Sequence, residues 1–283
     1  METKNRYFIG DMSKICNISK KTLRYYDTIN LIPSHRHDYN NYRYYTHDAL
    51  LAVPVIKYYK QMGFTLDEMK EFIEGSGSNV FKSLQKSFVS KINELKKEQE
   101  KLRRKHVSVK DWYTLILEAE MVIDNNIKEV SVKYVDPSNL IFFDQEFDND
   151  IKSSIINLEF TQHVEDLENE ITGPVIINFS SLNDRIENIN QPVKILQKTL
   201  MPCKEENQFE FGGNMMVSCY HIGPHEEIHT TYQKICRWAS HNGYILGEGS
   251  YERYITDYWT TQNTSKFVTE ILIETSRVGT VAQ

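Results

Sequence analysis

Near the C-terminal end one carboxylate stands in an aromatic run: Tyr251, Glu252, Arg253 and Tyr254, with Tyr258 and Trp259 just beyond. On a strand alternate residues share a face, so Glu252 and Tyr254 point the same way. A carboxylate among aromatic rings is the minimal receptor for a lipophilic cation: ring faces attract positive charge, and a partly desolvated anion interacts several times more strongly than one in water. Glu270, on the last apolar run, is a second acidic candidate, and Tyr220 and Trp259 complete a ligand-binding set of Glu252, Tyr254, Glu270, Tyr220 and Trp259. Two other chemistries remain open at the same carboxylate. Paired with Arg253 or Arg237 it would be a structural ion pair; placed beside Tyr220 or His221 it would be half of an acid/base couple able to hydrolyse small electrophiles.

A second chemical group lies at the other end. Ser19-Lys20-Lys21-Thr22-Leu23-Arg24-Tyr25-Tyr26 reads as a short helix with Ser19 as N-cap, Leu23 and Tyr26 inward, and Lys20, Lys21, Thr22, Arg24 and Tyr25 outward. Ile9 to Cys16 forms a preceding helix, broken at Asn17-Ile18. Two short helices across a tight turn make a helix-turn-helix, and a basic second helix suits the major groove, where Lys and Arg meet phosphates and guanine edges.

Charge separates the two ends. Residues 1–75 hold 11 Lys/Arg against 9 Asp/Glu, residues 76–119 hold 10 against 5, and residues 120–283 hold 12 against 25. A basic front suits a polyanion, and an acidic back suits a ligand of opposite sign. The chain has 283 residues with 40% hydrophobic and 25% charged, a composition that excludes disorder and collagen and suits more than one compact domain. No run approaches the roughly 18 apolar residues of a membrane span, and METKNRYFIG lacks a signal-peptide core, so a cytoplasmic protein with no membrane partner is expected. Cys16, Cys203, Cys219 and Cys236 stand far apart, with no C-x-x-C and no clustered His. That argues against a metal or iron–sulfur sensor, and no metal or cofactor is expected. Phosphate-loop motifs of the G-x-x-x-x-G-K-[ST] and G-x-G-x-x-G kinds are absent from the sequence.

The elements between these ends follow from periodicity. Leu31-Ile32-Pro33 ends the helical unit, and Asn40-Asn41-Tyr42-Arg43-Tyr44-Tyr45 reads as a turn leading into a wing strand, with Arg43 toward the DNA backbone. Asp48 to Met62 is a helix with Leu51, Val55 and Tyr58 or Tyr59 inside, closed by Gly63, and Thr65 with Glu68 opens the next as a capping-box variant. From Val80 to Glu120 there is neither Gly nor Pro. From Phe88 onward, Ile92, Leu95, Gln99, Leu102, His106, Val109, Tyr113 and Ile116 recur in steps of four and three, a heptad pattern that calls for a partner helix. Arg103-Arg104-Lys105 falls on its outer face.

The back half alternates. Glu129 to Val135, with Val130, Val132 and Tyr134 inward, and Asn139 to Asp144 read as strands, Asp150 to Glu170 as helical, and Pro174 to Phe179 as a buried strand. Met215 to Tyr220, Glu226 to Asn242, Gly249 to Thr256 and Phe267 to Glu274 repeat the series as strand, helix, strand, strand. A duplicated α+β unit with a cleft between its halves is expected. Residues 183–211 are polar and fit no element of this pattern.

The series Ile9-Gly10-Asp11, Arg24-Tyr25-Tyr26-Asp27, Leu31-Ile32-Pro33, Tyr42-Arg43-Tyr44-Tyr45 and Gly63-Phe64-Thr65-Leu66-Asp67-Glu68-Met69 resembles the winged helix-turn-helix head of MerR-family transcription regulators. The resemblance implies a homodimer on double-stranded promoter DNA. It further implies that an antiparallel coiled coil joins the two copies and that an effector makes the dimer kink and untwist the promoter so that RNA polymerase engages. It assigns DNA contacts to Lys20, Lys21, Thr22, Arg24 and Tyr25 on the recognition helix, to Arg43 and Tyr44 in the first wing, and to Lys57 and Lys60 in the second. His221-Ile222-Gly223-Pro224-His225-Glu226-Glu227, Tyr232, Trp238-Ala239, Asn242-Gly243, Gly247 and Tyr251-Glu252-Arg253-Tyr254 resemble GyrI-like effector-binding domains, with His225 standing where an aromatic residue is usual. The combination resembles the multidrug sensors of the family, which implies that Glu252 faces a lipophilic cation and that the protein activates transcription without catalysis. The expected architecture is therefore multi-domain: an all-α winged helix-turn-helix head over 1–75, a coiled-coil dimerisation helix over 76–120, and an α+β GyrI-like domain of duplicated strand-helix-strand-strand over 121–283.

Overall fold

A computed structural model describes residues 6–37, 41–74 and 80–277. The chain divides into two compact units, Met1–Glu100 and Lys101–Gln283. Asn40, the first residue of the expected wing turn, and position 76, the expected domain boundary, lie outside the described residues.

The first unit runs β1 (Tyr7–Phe8), α1 (Ile9–Cys16), α2 (Lys20–Thr28), β2 (His35–Arg36), β3 (Arg43–Tyr45), α3 (His47–Gln61), α4 (Leu66–Glu74) and the start of α5 (Val80–Asp124). Asn17 ends α1 in the left-handed conformation at φ 47°. Ser19 then caps α2, its Oγ accepting from the Thr22 N–H at 3.0 Å. Leu23 and Tyr26 are buried as expected, together with Met12, Ile32, Tyr45, Val53, Ile56 and Met69. The capping box at α4 is reciprocal: the Thr65 N–H donates to Glu68 Oε2 at 2.7 Å and the Glu68 N–H to Thr65 Oγ1 at 3.3 Å. A small sheet of order β1-β3-β2 forms the wing.

In α3 the inward face agrees with the expected one only at Tyr59. Leu51, Val55 and Tyr58 are exposed, while Val53 and Ile56 are fully buried and Leu50 and Tyr59 pack beside them. Both sets recur at helical spacing, so periodicity alone leaves the phase undetermined. Phe88, early in α5, packs on this core at 5.1 Å from the Phe64 ring.

The second unit continues from α5 through β4 (Ser131–Val135), β5 (Ser138–Phe147), α6 (Ile151–Ile155), α7 (Leu158–Asp166), β6 (Ile171–Phe179), α8 (Leu182–Ile186), β7 (Gln191–Thr199), β8 (Gln208–Phe211), β9 (Asn214–Ile222), α9 (Ile228–Asn242), β10 (Tyr244–Leu246), β11 (Ser250–Thr256) and β12 (Val268–Arg277). One sheet has the order β4-β9-β12-β11-β6-β7-β5-β8, with β10 added on β12. The expected duplication is visible in that order. β5, the α6–α7 pair, β6 and β7 form one strand-helix-strand-strand half; β9, α9, β11 and β12 form the other; in each the third strand lies between the first two, and the halves meet where β6 pairs with β11. The polar stretch 183–211 is part of this plan, since it holds most of α8 and all of β7 and β8. The helical period over 150–170 is split into α6 and α7, because Asn157 starts a new helix by accepting from the Phe160 N–H at 2.6 Å. Tyr134, expected inward, is exposed near the end of β4.

The two faces of the sheet carry different partners. Val217, Cys219, Ile271 and Ile273 pack with Ile228, Tyr232 and Ile235 of α9. On the other face Ile255 and Val268 pack with Leu115, Ala119 and Val122 of α5. Arg104 does not project outward as expected; its Nη1 lies 3.3 Å from Glu170 Oε2. Among the described residues no helix is long and apolar enough to cross a membrane, and no group of three or more His, Cys, Asp or Glu could hold a metal ion.

Candidate functional site

Glu252 lies on β11 at the junction of the two halves, opposite Ile177 of β6 and Ile271 of β12. It is 0% exposed, and both carboxylate oxygens are filled. Arg185, from the single turn and a half of α8, donates from Nε to Oε1 at 2.6 Å and from Nη2 to Oε2 at 3.2 Å. Tyr232 of α9 donates to Oε1 at 2.8 Å and Tyr254 to Oε2 at 2.5 Å. Ser250 Oγ lies 2.9 Å from the Tyr232 hydroxyl and donates to it, since the tyrosine proton is committed to the carboxylate. Burial works against ionising Glu252, yet the charge and hydrogen bonds of Arg185 and the two hydroxyls hold its carboxyl below the usual range. Burial and the Glu252 charge push both tyrosines well above theirs, so they stay donors.

The guanidinium also lies against a corner of two rings that meet edge to face, their centroids 5.1 Å apart. Arg185 Cζ is 4.5 Å from the Phe179 centroid and 5.2 Å from that of Phe147, residues that end β6 and β5. A flat delocalised cation beside two aromatic rings, seated on a carboxylate, is therefore already built from the chain's own residues. Arg185 further lines a cavity of about 330 Å³ with Phe147, Ile151, His225 and Glu226.

His225 closes that cavity in an unusual state. Its ring stacks on Phe267 at 4.9 Å and meets Tyr254 edge-on at 5.2 Å. Burial holds its pKa down to about 4, so the imidazole is neutral at pH 7. Nδ1 lies 3.4 Å from Thr269 Oγ1, while Nε2 is buried with no hydrogen-bond partner among the described residues.

The other expected ligand residues are placed elsewhere. Glu252 and Tyr254 do share a face, but Glu270 stands opposite Arg253 and Tyr220 in the register, on the reverse side of the sheet. There it accepts from Arg253 Nε at 2.9 Å, from Ser218 Oγ at 2.5 Å and from Lys133 Nζ. Arg253 also pairs with Glu118 of α5, to which the Tyr220 hydroxyl donates at 2.9 Å. Trp259 is 67% exposed and stacks on Trp112 of α5 at 5.7 Å between centroids. Glu270, Tyr220 and Trp259 thus leave the Glu252 site. The ion pair expected with Arg253 or Arg237 is made instead with Arg185. Tyr220 faces away from Glu252 and both ring nitrogens of His221 are occupied, by Thr231 Oγ1 and the Pro224 carbonyl at 2.9 Å each, so the proposed acid/base couple does not assemble. Arg185, Phe147 and Phe179 are the residues that sequence reasoning missed, and Tyr232 entered it only through the GyrI-like resemblance, without a role at Glu252.

In the first unit Lys20, Lys21, Arg24 and Tyr25 are exposed on α2 and Lys60 on α3. Thr22 lies in the cap, its Oγ1 2.7 Å from Ser19 Oγ. Arg43 is tied to Asp27, Nε to Oδ2 at 2.8 Å, and the Tyr44 ring stacks on His35 with Arg6 over it at 5.0 Å. Lys57 donates to the Cys16 carbonyl at 2.6 Å and so closes the end of α1.

Fold and site together define a winged helix-turn-helix carried on one chain with a duplicated sheet that buries a carboxylate at its centre. Residues 7–76 match the MerR HTH family of regulatory proteins, and residues 128–275 match the GyrI-like small molecule binding domain. The chain belongs to the MerR-family regulators that carry a GyrI-like domain. The multidrug-efflux transporter 2 regulator of Bacillus subtilis (strain 168) is 24% identical over 299 residues, covering 98% of this chain and 99% of that protein. The multidrug-efflux transporter 1 regulator of the same organism is 46% identical over 66 residues, 23% of this chain and 24% of its own length. Among solved structures, the cryo-EM structure of an EcmrR–DNA complex is similar at 21% identity and a TM-score of 0.46, covering 96% of this chain and 100% of that one.

Proposed function

We propose that this regulator senses lipophilic cations at Glu252 and, as a homodimer on promoter DNA, distorts the promoter to activate transcription of a drug-response gene. One observation carries the reading of the ligand: Glu252, Tyr232, Tyr254, Phe147 and Phe179 already surround a delocalised cation, the Arg185 guanidinium. A site that satisfies a guanidinium by charge and by ring faces suits an aromatic or quaternary cation for the same reasons. The acidic balance of residues 120–283 favours cation approach. The role of the relative matched along its whole length, regulation of a multidrug-efflux transporter, agrees with it.

The heptad residues support dimerisation. Ile92, Leu95, Leu102, Val109, Tyr113 and Ile116 are all exposed along α5, apolar area that a second copy of the helix would bury. Lys20, Lys21, Arg24 and Tyr25 on α2, with Arg43, Tyr44 and Lys60, form the DNA-contacting set; Lys57 supports it by fixing α1. The test is transcription in vitro from the cognate promoter with RNA polymerase and tetraphenylphosphonium. The reading expects ligand to raise transcript without raising promoter occupancy; transcript indifferent to the cation contradicts it.

A further inference from the structure

The carboxylate read as the cation receptor is occupied. Arg185 Nε and Nη2 meet both oxygens of Glu252, its guanidinium lies against Phe179 and Phe147, and the residue is 5% exposed. A cation has no free face of Glu252 to reach, because Tyr232 and Tyr254 fill the remaining positions on the same two oxygens. The tyrosines are hydrogen-bond donors that an added cation could keep; Arg185 is a charge that it would have to replace.

The support of Arg185 suits replacement. It sits on α8, five residues long, between β6 and β7. The start of that segment is pinned: Ser181 caps α8 by accepting from the Asp184 N–H at 3.2 Å, the Ser181 N–H donates to Gln191 Oε1 at 2.8 Å, and the Leu182 N–H donates to the Glu248 carbonyl at 2.6 Å. The side chain beyond is long and flexible, and it borders the 330 Å³ cavity where Glu226, exposed, offers a second carboxylate. A guanidinium leaving Glu252 thus has room and a counterion close by.

We propose that Arg185 is a built-in competitor at the ligand site, a tethered guanidinium that a cationic effector must displace from Glu252. The inference rests on the reading of Glu252 as the cation receptor. Its consequence is selectivity. The apparent affinity of any cation is reduced by the fraction of molecules in which Arg185 holds the site. Compact, strongly hydrated cations gain little from the ring faces and lose this competition; flat or aryl-substituted cations, which gain from Phe147, Phe179 and the tyrosines, win it. The domain therefore responds to lipophilic cations above a threshold set by its own arginine.

The experiment measures binding of tetraphenylphosphonium, and of triphenylphosphine oxide as a neutral relative, to the full-length protein by titration calorimetry. The chains compared are the native protein, Arg185→Met, Arg185→Lys and the Arg185→Met/Glu252→Gln double variant. Arg185→Met is expected to bind the cation about tenfold or more tightly than the native chain, with the neutral compound unchanged. Arg185→Lys, which keeps the charge but loses the fork and the flat stacking surface, is expected to fall between them and serves if Arg185→Met fails to fold. The double variant is expected to lose the cation preference. Equal or weaker cation binding in both single variants, with the preference still dependent on Glu252, overturns the competitor and leaves the receptor standing. No cation preference in the native chain or either single variant overturns both.

Discussion

Glu252 and Arg253 are neighbours on β11, face opposite sides of one sheet, and each anchors its own buried charge network. Glu252 is closed by Arg185, Tyr232 and Tyr254, whereas Arg253 joins Glu270 on β12 to Glu118 on α5. A single strand is thus shared by the candidate ligand site and by the ion pair that fastens α5 to the sheet. The two networks are joined through one peptide bond of β11, with no intervening element.

Glu252→Gln should be costly for reasons separate from ligand binding. It leaves the buried Arg185 without its counter-charge, a loss on the order of 3 kcal/mol. The Arg185→Met/Glu252→Gln pair removes both charges and should cost clearly less than Glu252→Gln alone. Urea unfolding of Glu252→Gln, Arg185→Met and the double variant checks this, and additive losses would deny the coupling.

Acid should weaken the second unit through His225. Its folded pKa of about 4 lies below the ordinary value of 6.5, so between those limits the unfolded chain binds the extra proton. The stability from keeping it neutral is complete above pH 6.5 and is lost as pH falls toward 4. His225→Phe, which keeps an aromatic ring against Phe267, removes one proton from that balance and should lower the slope of stability with pH in this window by up to about 1.4 kcal/mol per unit. Thermal melts from pH 4.5 to 7 test it; an unchanged slope would place the titration elsewhere.

Two arginines of the head should differ. Arg24 is exposed, so Arg24→Ala should weaken promoter binding and lower the salt slope by about 1 while leaving the melting temperature unchanged. Arg43→Ala also strips Asp27 of the partner that, with Ser34, holds its carboxyl below the usual range against the effect of burial, and should cost on the order of 1 kcal/mol of stability as well. Binding at several salt concentrations, paired with melts, separates the two.

Leu102 is 65% exposed at the middle of the heptad series. Leu102→Asp should give monomers by sedimentation with the fold of each unit retained, since the residue belongs to neither core. A dimer that persists would move the interface off this face.

How far the sequence reached depended on the range of each contact. Ser19 on α2 and Thr65 with Glu68 on α4 were legible because caps are written within four residues. Glu252 and Tyr254 were placed together by strand alternation alone. Glu270 was not, because its face depends on which residue of β11 it opposes, and that register places it across from Arg253. Arg185 was out of reach: it is 67 positions from Glu252, on a helix too short to show a period, in a stretch whose polarity hides the alternation of β7. The pairing of β6 with β11 brings the two together, and no local pattern announces a strand pairing between halves. The α3 phase failed for a different reason, since Leu51, Val55 and Tyr58 make as regular an apolar stripe as the one that is buried.

The central claim, that Glu252 receives a lipophilic cation, is tested most directly by titrating the fluorescence of the chain's three tryptophans with tetraphenylphosphonium. The native chain is compared with the Arg185→Met/Glu252→Gln double variant, which retains neither charge of the pair. The account predicts saturable binding to the native chain and at least about tenfold weaker binding to the double variant. Equal affinity in the two proteins would contradict it.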